Sequence, residues 1–120
     1  MKRGKRFYLA GPLTHPEPQQ VEANIRAAVE AGLALRAAGL VPVIPHIAVP
    51  DEPGATPAQI WTIAMRECLS HLRTCDAIVL LPRWETSRGA RVEHALCHRC
   101  VPGYPTDIYH SVLAVLERVA

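Results

Sequence analysis

Residues 83–94 read RWETSRGARVEH and follow directly on an apolar run, DAIVLLP at 76–82, so a cluster of polar and charged side chains meets the end of a buried segment. Open α/β sheets keep their chemistry at such junctions. Glu93 is the group with the most to offer. An ionised carboxylate facing a cleft can act as a nucleophile toward an electrophilic carbon. A helix beginning near Gly89 or Ala90 would place Glu93 in its first turn, where the partial positive charge of the helix terminus favours the charged form. Ser87 and the backbone N–H groups around Gly89 form a donor cluster at the same helix start, suited to a phosphate or a sugar hydroxyl. Gly89 also lets that backbone come close to a ligand. The same residue types serve ordinary helix ends, with Ser87 as a cap and Glu93 as a complement to the dipole. Spacing alone leaves both readings open.

Such groups act together only if the fold converges on them. RFYLAG, residues 6–11, is a short apolar run ending at Gly-Pro and suits a first buried strand. From about Val21 to Ala38 the apolar residues recur at mostly helical spacing, and Gly39 sits where a left-handed C-cap belongs. LVPVIP, residues 40–45, reads as a second strand, and Pro42, which cannot donate to a ladder, puts it at an edge. HIAVPDEPGATP is a loop. Thr56-Pro57-Ala58-Gln59 then combines a Thr cap, a proline at the first helical position and a glutamine at the third, so a helix should run to about Thr74. DAIVLLP shows no alternation, as expected of a central parallel strand covered on both faces. Residues from Ala90 to about Arg99 should be helical, and a last helix from about Asp107 carries Ile108, Val112, Leu113, Val115, Leu116 and Val119. Between these helices CVPGYPT is too rich in proline and glycine to read as a regular strand.

The order βαβαβα with a weak fourth strand predicts one α/β domain over residues 1–120. Its sheet should be doubly wound and mostly parallel, with four to five strands and helices on both faces. Ligands then bind beyond the carboxyl ends of the strands, where the loops holding Tyr8 to His15, His46, and Arg83 to Glu93 should meet. Asp76 starts the third strand at the opposite end and reads as structural.

The whole chain narrows the classes. Its 120 residues suffice for one modest core, and a net charge of +2 gives no push toward nucleic acid or an anionic membrane. The basic start, MKRGKR, is followed by an apolar stretch broken at Gly11 and Pro12, too short for a signal peptide or a membrane span, which implies a cytoplasmic protein. In that setting Cys68, Cys75, Cys97 and Cys100 should be reduced thiols. Cys97 and Cys100 form one C-x-x-C pair with His94 and His110 nearby. A structural zinc needs about four ligands, and this pair has no matching second pair.

YLAGPLTHP near the start and CDAIVLLPRWETSRGARVEHALC (residues 75–97) resemble the nucleoside 2-deoxyribosyltransferase superfamily. The likeness is to its small bacterial and phage branch, similar to the nucleoside 5′-monophosphate N-glycosidases. It covers roughly residues 6 to 98, and its most specific part is D-A-I-V-L-L-P-x-W-E-x-S-x-G-A-x-x-E with fixed spacing. The resemblance implies cleavage or transfer at an N-glycosidic bond without a cofactor, through a covalent glycosyl-enzyme intermediate on Glu93. It makes Tyr8 a phenol that orients the nucleophile or the sugar. Ser87 and the Gly89 backbone would contact the sugar or its 5′ substituent, and the Gly11 turn would bring the first loop to the ligand. His46 matches a position near the site in some relatives. Trp84 either stacks on the base or packs against its own loop. The resemblance also implies a homo-oligomer, and the apolar last helix offers a face for a dimer.

Two departures from the pattern stand out. Relatives often carry an aspartate eight residues before Asp76, where it helps the leaving base; here that position is Cys68, and a thiol is a weak donor. The neighbouring Glu67 is turned by roughly 100° on a helix, so either another residue such as His46 handles the leaving base or the activity is weaker or different. The first loop, GPLTHPEPQ, lacks the glycine, serine and arginine run that holds a 5′-phosphate in the hydrolases, although Arg83, Arg88 and Arg91 bring positive charge nearby. A second expectation is therefore a catalytically weak or inactive nucleotide sensor of the same fold.

Overall fold

The two most apolar runs pair with each other at the centre of the molecule. β1 (Arg6–Ala10) and β3 (Ala77–Leu80) lie parallel, with Phe7 opposite Ala77 and Ala10 opposite Leu80. β2 (Val41–Val43) adds to the free side of β1, and β4 (Asp107–Tyr109) to the free side of β3, both parallel. The computed structural model that establishes this describes residues 4–13, 15–45 and 53–119. Strand order is β2-β1-β3-β4, so Pro42 does sit on an edge strand, where its missing N–H leaves no ladder bond unmade.

Side chains alternate across the central strands and divide the core in two. Phe7, Leu9, Ala77, Val79 and Leu81 pack with Ala28 and Leu35 of α1 (Pro18–Ala37) and Val115 of α4 (Val112–Val119). Tyr8, Ala10, Ile78 and Leu80 pack on the other face with Leu72 of α2 (Pro57–Leu72) and with Ala90 and Cys97 of α3 (Arg88–His98). Helices thus cover both faces of a four-stranded parallel sheet, the doubly wound α/β fold that the strand and helix order implies. Among the described residues, no helix is long and apolar enough to cross a membrane.

Local chemistry sets the element ends. Thr56 and Gln59 form a reciprocal capping box at the start of α2, and Gly39 takes the left-handed conformation (φ 82°) just past α1. At the far end of the sheet Asp76 accepts the Arg6 N–H at 2.7 Å and donates its own N–H to the Arg6 carbonyl at 2.8 Å, which aligns the starts of β1 and β3.

Several boundaries differ from the sequence reading, α1 among them, which starts at Pro18 and not at Val21. The fourth strand is Asp107-Ile108-Tyr109, not the preceding CVPGYPT segment, and the last helix begins only at Val112. Ile108 continues the apolar spacing of α4 and so reads as helical, yet Ser111, whose hydroxyl accepts the Ala114 N–H, sets the true start. Likewise α3 begins at Arg88, two residues before the expected Ala90, because Ser87 caps it. Glu93 therefore lies in the second turn, and the helix terminus is a weaker influence on it than the first-turn reading assumed.

Gly11 sits where the chain leaves β1. A Cβ there would lie 2.8 Å from the Leu81 Cβ, an atom fixed to the end of β3 and unable to swing away. Gly11→Ala should destabilise the fold by about 1–3 kcal/mol through overpacking. Urea unfolding would show this as a lowered midpoint at unchanged slope. An unaltered midpoint would mean that the two strand ends separate without penalty.

Candidate active site

The order β2-β1-β3-β4 places the topological switch point between β1 and β3, and a cavity of about 250 Å³ opens beside their carboxyl ends. Strand β1 supplies Tyr8 and Leu9, and the loop after it supplies Gly11 and Leu13. Pro45 follows β2. The turn and first half of α3 contribute Ser87, Arg88, Gly89, Ala90 and Glu93, while α2 contributes Trp61, Ala64, Met65 and Cys68.

The chain reverses sharply after β3. Arg83 adopts φ 65°, a left-handed conformation uncommon for a non-glycine residue, and a 3₁₀ turn over Trp84–Thr86 follows. Thr86 Oγ1 donates to the Arg83 carbonyl at 2.7 Å, and Arg91 donates to the Glu85 carbonyl at 3.1 Å. Ser87 then caps α3, accepting the Ala90 N–H at 3.2 Å. Its hydroxyl proton is not used by that bond and is available to a ligand. Gly89 brings the first turn against α2, since a Cβ there would lie 3.1 Å from the Met65 sulfur.

Glu93 is 5% exposed, and its carboxyl accepts a hydrogen bond from the Tyr8 hydroxyl. Burial raises the Glu93 pKa to about 7, against a smaller lowering by the Tyr8 bond. Burial and then the Glu93 charge push the Tyr8 phenol far above its ordinary range, so it stays protonated and remains a donor. The Cys68 thiol lies beside both groups; burial first, then the Glu93 charge, raises it and keeps it neutral. The centre is a carboxyl group poised to ionise near neutrality, held by a phenol, in a partly apolar cavity.

Two features hold the walls. Asn24, 5% exposed on α1, donates to the Leu13 carbonyl at 3.2 Å and accepts from Arg83 at 3.0 Å and Gln20 at 2.9 Å. It links the loop after β1 to the turn after β3. Across the cavity the Arg88 guanidinium stands 3.9 Å over the Trp61 ring.

A family model described as a domain of unknown function, DUF4406, matches residues 5–102. The chain belongs to the DUF4406 family. No curated protein matches it. A solved structure of a 2-deoxyribosyltransferase from the psychrotolerant bacterium Bacillus psychrosaccharolyticus is similar to it, with a TM-score of 0.56 at 18% identity. That similarity covers 77% of this chain and 64% of the transferase, so this DUF4406 domain spans less than two thirds of the larger protein. It shares the fold.

In this DUF4406 domain Tyr8, Gly11, Ser87, Gly89 and Glu93 come together around one cavity, although they span most of the chain. His46 lies outside the described residues. Trp84 is not part of the lining; its ring packs 4.6 Å from that of His94 and borders the core beneath α3. Cys97 is buried in that same core and Cys100 is exposed; all four cysteines are free thiols. Among the described residues no three His, Cys, Asp or Glu side chains are grouped as a metal site.

The α2 wall is what sequence reasoning passed over. Trp61, Ala64, Met65 and Cys68 stand at i, i+3, i+4 and i+7, a signal visible in the sequence but identical to that of a helix facing a core. Asn24 gives no signal, being one of several polar residues in an ordinary amphipathic helix.

Proposed function

We propose that this domain cleaves or transfers at the N-glycosidic bond of a nucleoside or nucleoside 5′-monophosphate, with Glu93 as the nucleophile. The observation that carries the reading is the buried Glu93 carboxyl, bonded by Tyr8 and ionising near neutrality at the switch-point cavity. The fold shared with a 2-deoxyribosyltransferase supports it by analogy alone.

As the C–N bond to the base breaks, its electron pair leaves with the base, which takes up a proton, and the anomeric carbon gains oxocarbenium character. A carboxylate poorly solvated by its surroundings stabilises that positive charge strongly before bonding to the carbon. Tyr8 holds the carboxyl in place through one oxygen, and its high pKa ensures that it donates throughout. Water, or a second base, then attacks the same carbon and releases Glu93. Ser87 and the Gly89 backbone serve as donors to the sugar or its 5′ substituent.

Chromatography of free base, after incubation with a panel of nucleosides and 5′-monophosphates, tests the reading. Repeating it with and without an acceptor base separates transfer from hydrolysis. No release from any member would remove the enzymatic reading.

Among the described residues lining the cavity Glu93 is the one carboxyl, and Cys68 offers only a neutral thiol to the leaving group. This favours, as the second reading, a weakly active or inactive nucleotide sensor. Cys68→Asp separates the two. A second carboxyl beside Glu93 would share one proton with it, as neighbouring carboxyls do, and supply an acid for the departing base. Base release should then rise by about 100-fold, the lower end of the range for general acid catalysis. An unchanged rate would show that the leaving base already obtains its proton elsewhere. Association of like subunits belongs to the same proposal, with Leu33, Leu113 and Val119 exposed on α1 and α4.

A further inference from the structure

The Arg88 guanidinium over Trp61 has no part in the chemistry proposed for Glu93, yet both residues line the same cavity. Trp61 is half-buried on α2, whereas Arg88 is exposed at the first position of α3. One partner is therefore fixed, and the other can leave without disturbing the core. A guanidinium is a flat, delocalised and weakly hydrated group that stacks on aromatic faces. At 3.9 Å it fills a slot of the thickness that any planar ring would need. Among the described residues that line the cavity, Leu13, Pro45, Ala64 and Met65 are uncharged. Hydrogen-bonding groups gather instead at Tyr8, Ser87 and Glu93. The cavity thus combines polar, reactive groups with a flat aromatic surface. This matches a ligand that joins a hydroxylated ring to a planar heteroaromatic ring.

We propose that Trp61 is the stacking platform for the heteroaromatic ring of the ligand, and that Arg88 occupies this place until the ligand displaces it. Identifying the ring as a nucleobase rests on the N-glycosidic reading; the exchange of one stacked group for another does not require the reaction. Binding must first break the Arg88 contact, so Arg88 lowers affinity for ring-bearing ligands and discriminates against those unable to replace it.

Calorimetric titration of the full chain with a panel of purine and pyrimidine nucleosides, with 2-deoxyribose as the ring-free probe, tests the exchange. Arg88→Ala, at an exposed site where the fold tolerates alanine, should tighten nucleoside binding about five-fold, the equivalent of one exposed cation–π contact. Trp61→Ala should weaken it about ten-fold or more, as removal of a base-stacking aromatic does, and Trp61→Phe should restore most of the loss. Neither change should alter any binding of 2-deoxyribose. In a Trp84→Phe background Trp61 is the sole tryptophan, and its emission should change with nucleoside. Weaker nucleoside binding by Arg88→Ala, or Trp61 emission unmoved at saturation, would overturn the exchange. Nucleoside binding with these shifts but no base release would remove the N-glycosidic reading and leave the exchange standing. Base release with unmoved Trp61 emission would do the reverse, and a chain that binds no nucleoside would end both.

Discussion

Glu93→Gln is expected to lower base release by about 10⁴-fold or more, the scale on which removal of a covalent nucleophile acts. The substitution suits the site because the amide oxygen can still accept the Tyr8 hydroxyl, so the buried hydrogen bond survives while the attacking oxygen is lost. Glu93→Ala should lose as much activity and also remove the carboxyl acceptor of the Tyr8 hydroxyl. The parent enzyme adds a second signature. Only the ionised carboxylate attacks, and Glu93 ionises near pH 7, so release should climb about ten-fold for each pH unit below that value and level off above it. A Glu93→Gln protein that releases base at the parent rate would falsify the nucleophile assignment. A rate that ignores pH between 5 and 8 would show that ionisation of Glu93 does not limit the reaction.

The same substitution should make the protein more stable at and above neutral pH. In the folded chain Glu93 keeps its proton until about pH 7, while in the unfolded chain it ionises near the ordinary value of 4.5. Between those two values the folded state binds more protons than the unfolded state, so stability falls as pH rises through the window. The contribution is fully present below pH 4.5 and lost once pH passes about 7. At 1.36 kcal/mol per pKa unit, burying the charged carboxylate costs about 3 kcal/mol at pH 8, an upper figure that local relaxation reduces. Glutamine carries no charge and avoids this cost. Urea unfolding of parent and Glu93→Gln should give similar free energies at pH 4 and diverge toward pH 8, with the variant the more stable. Parallel curves over that range would mean that the carboxylate is solvated in the folded state and that its pKa is not raised. Increased stability with lost activity is the pattern expected where a site retains a group that the fold alone would exclude.

Much of this arrangement was legible in the residue pattern. Unbroken apolar runs at residues 7–10 and 77–82 mark the central strands, because a strand covered on both faces has no polar side to alternate with. The capping box at Thr56 and the glycine after α1 are signatures set by backbone geometry within a few residues. Strand and helix order then implies the doubly wound sheet, and with it the end of the sheet where ligand loops collect. Boundaries were less legible where a short strand runs into a helix. Ile108 fits the apolar spacing of α4, and its place in β4 is decided by pairing with Ile78, a residue thirty positions away.

By itself, then, the sequence determined the α/β class, the edge position of Pro42, the structural role of Asp76 and the convergence of Tyr8, Gly11, Ser87, Gly89 and Glu93. Each follows from local steric and hydrogen-bonding rules or from the single way such elements stack. Tertiary structure alone decided that the Trp61–Cys68 face of α2 borders a cavity instead of a core, since helical periodicity records only which side is apolar and not what it faces. It placed Trp84 against His94 and away from the cavity, and Asn24 between two loops distant in sequence. It also decided the proton affinity of Glu93. Position in a helix suggests a stabilised carboxylate, whereas removal from water raises its pKa to about 7, because the desolvation of a charge outweighs the partial charge of a helix end one turn away.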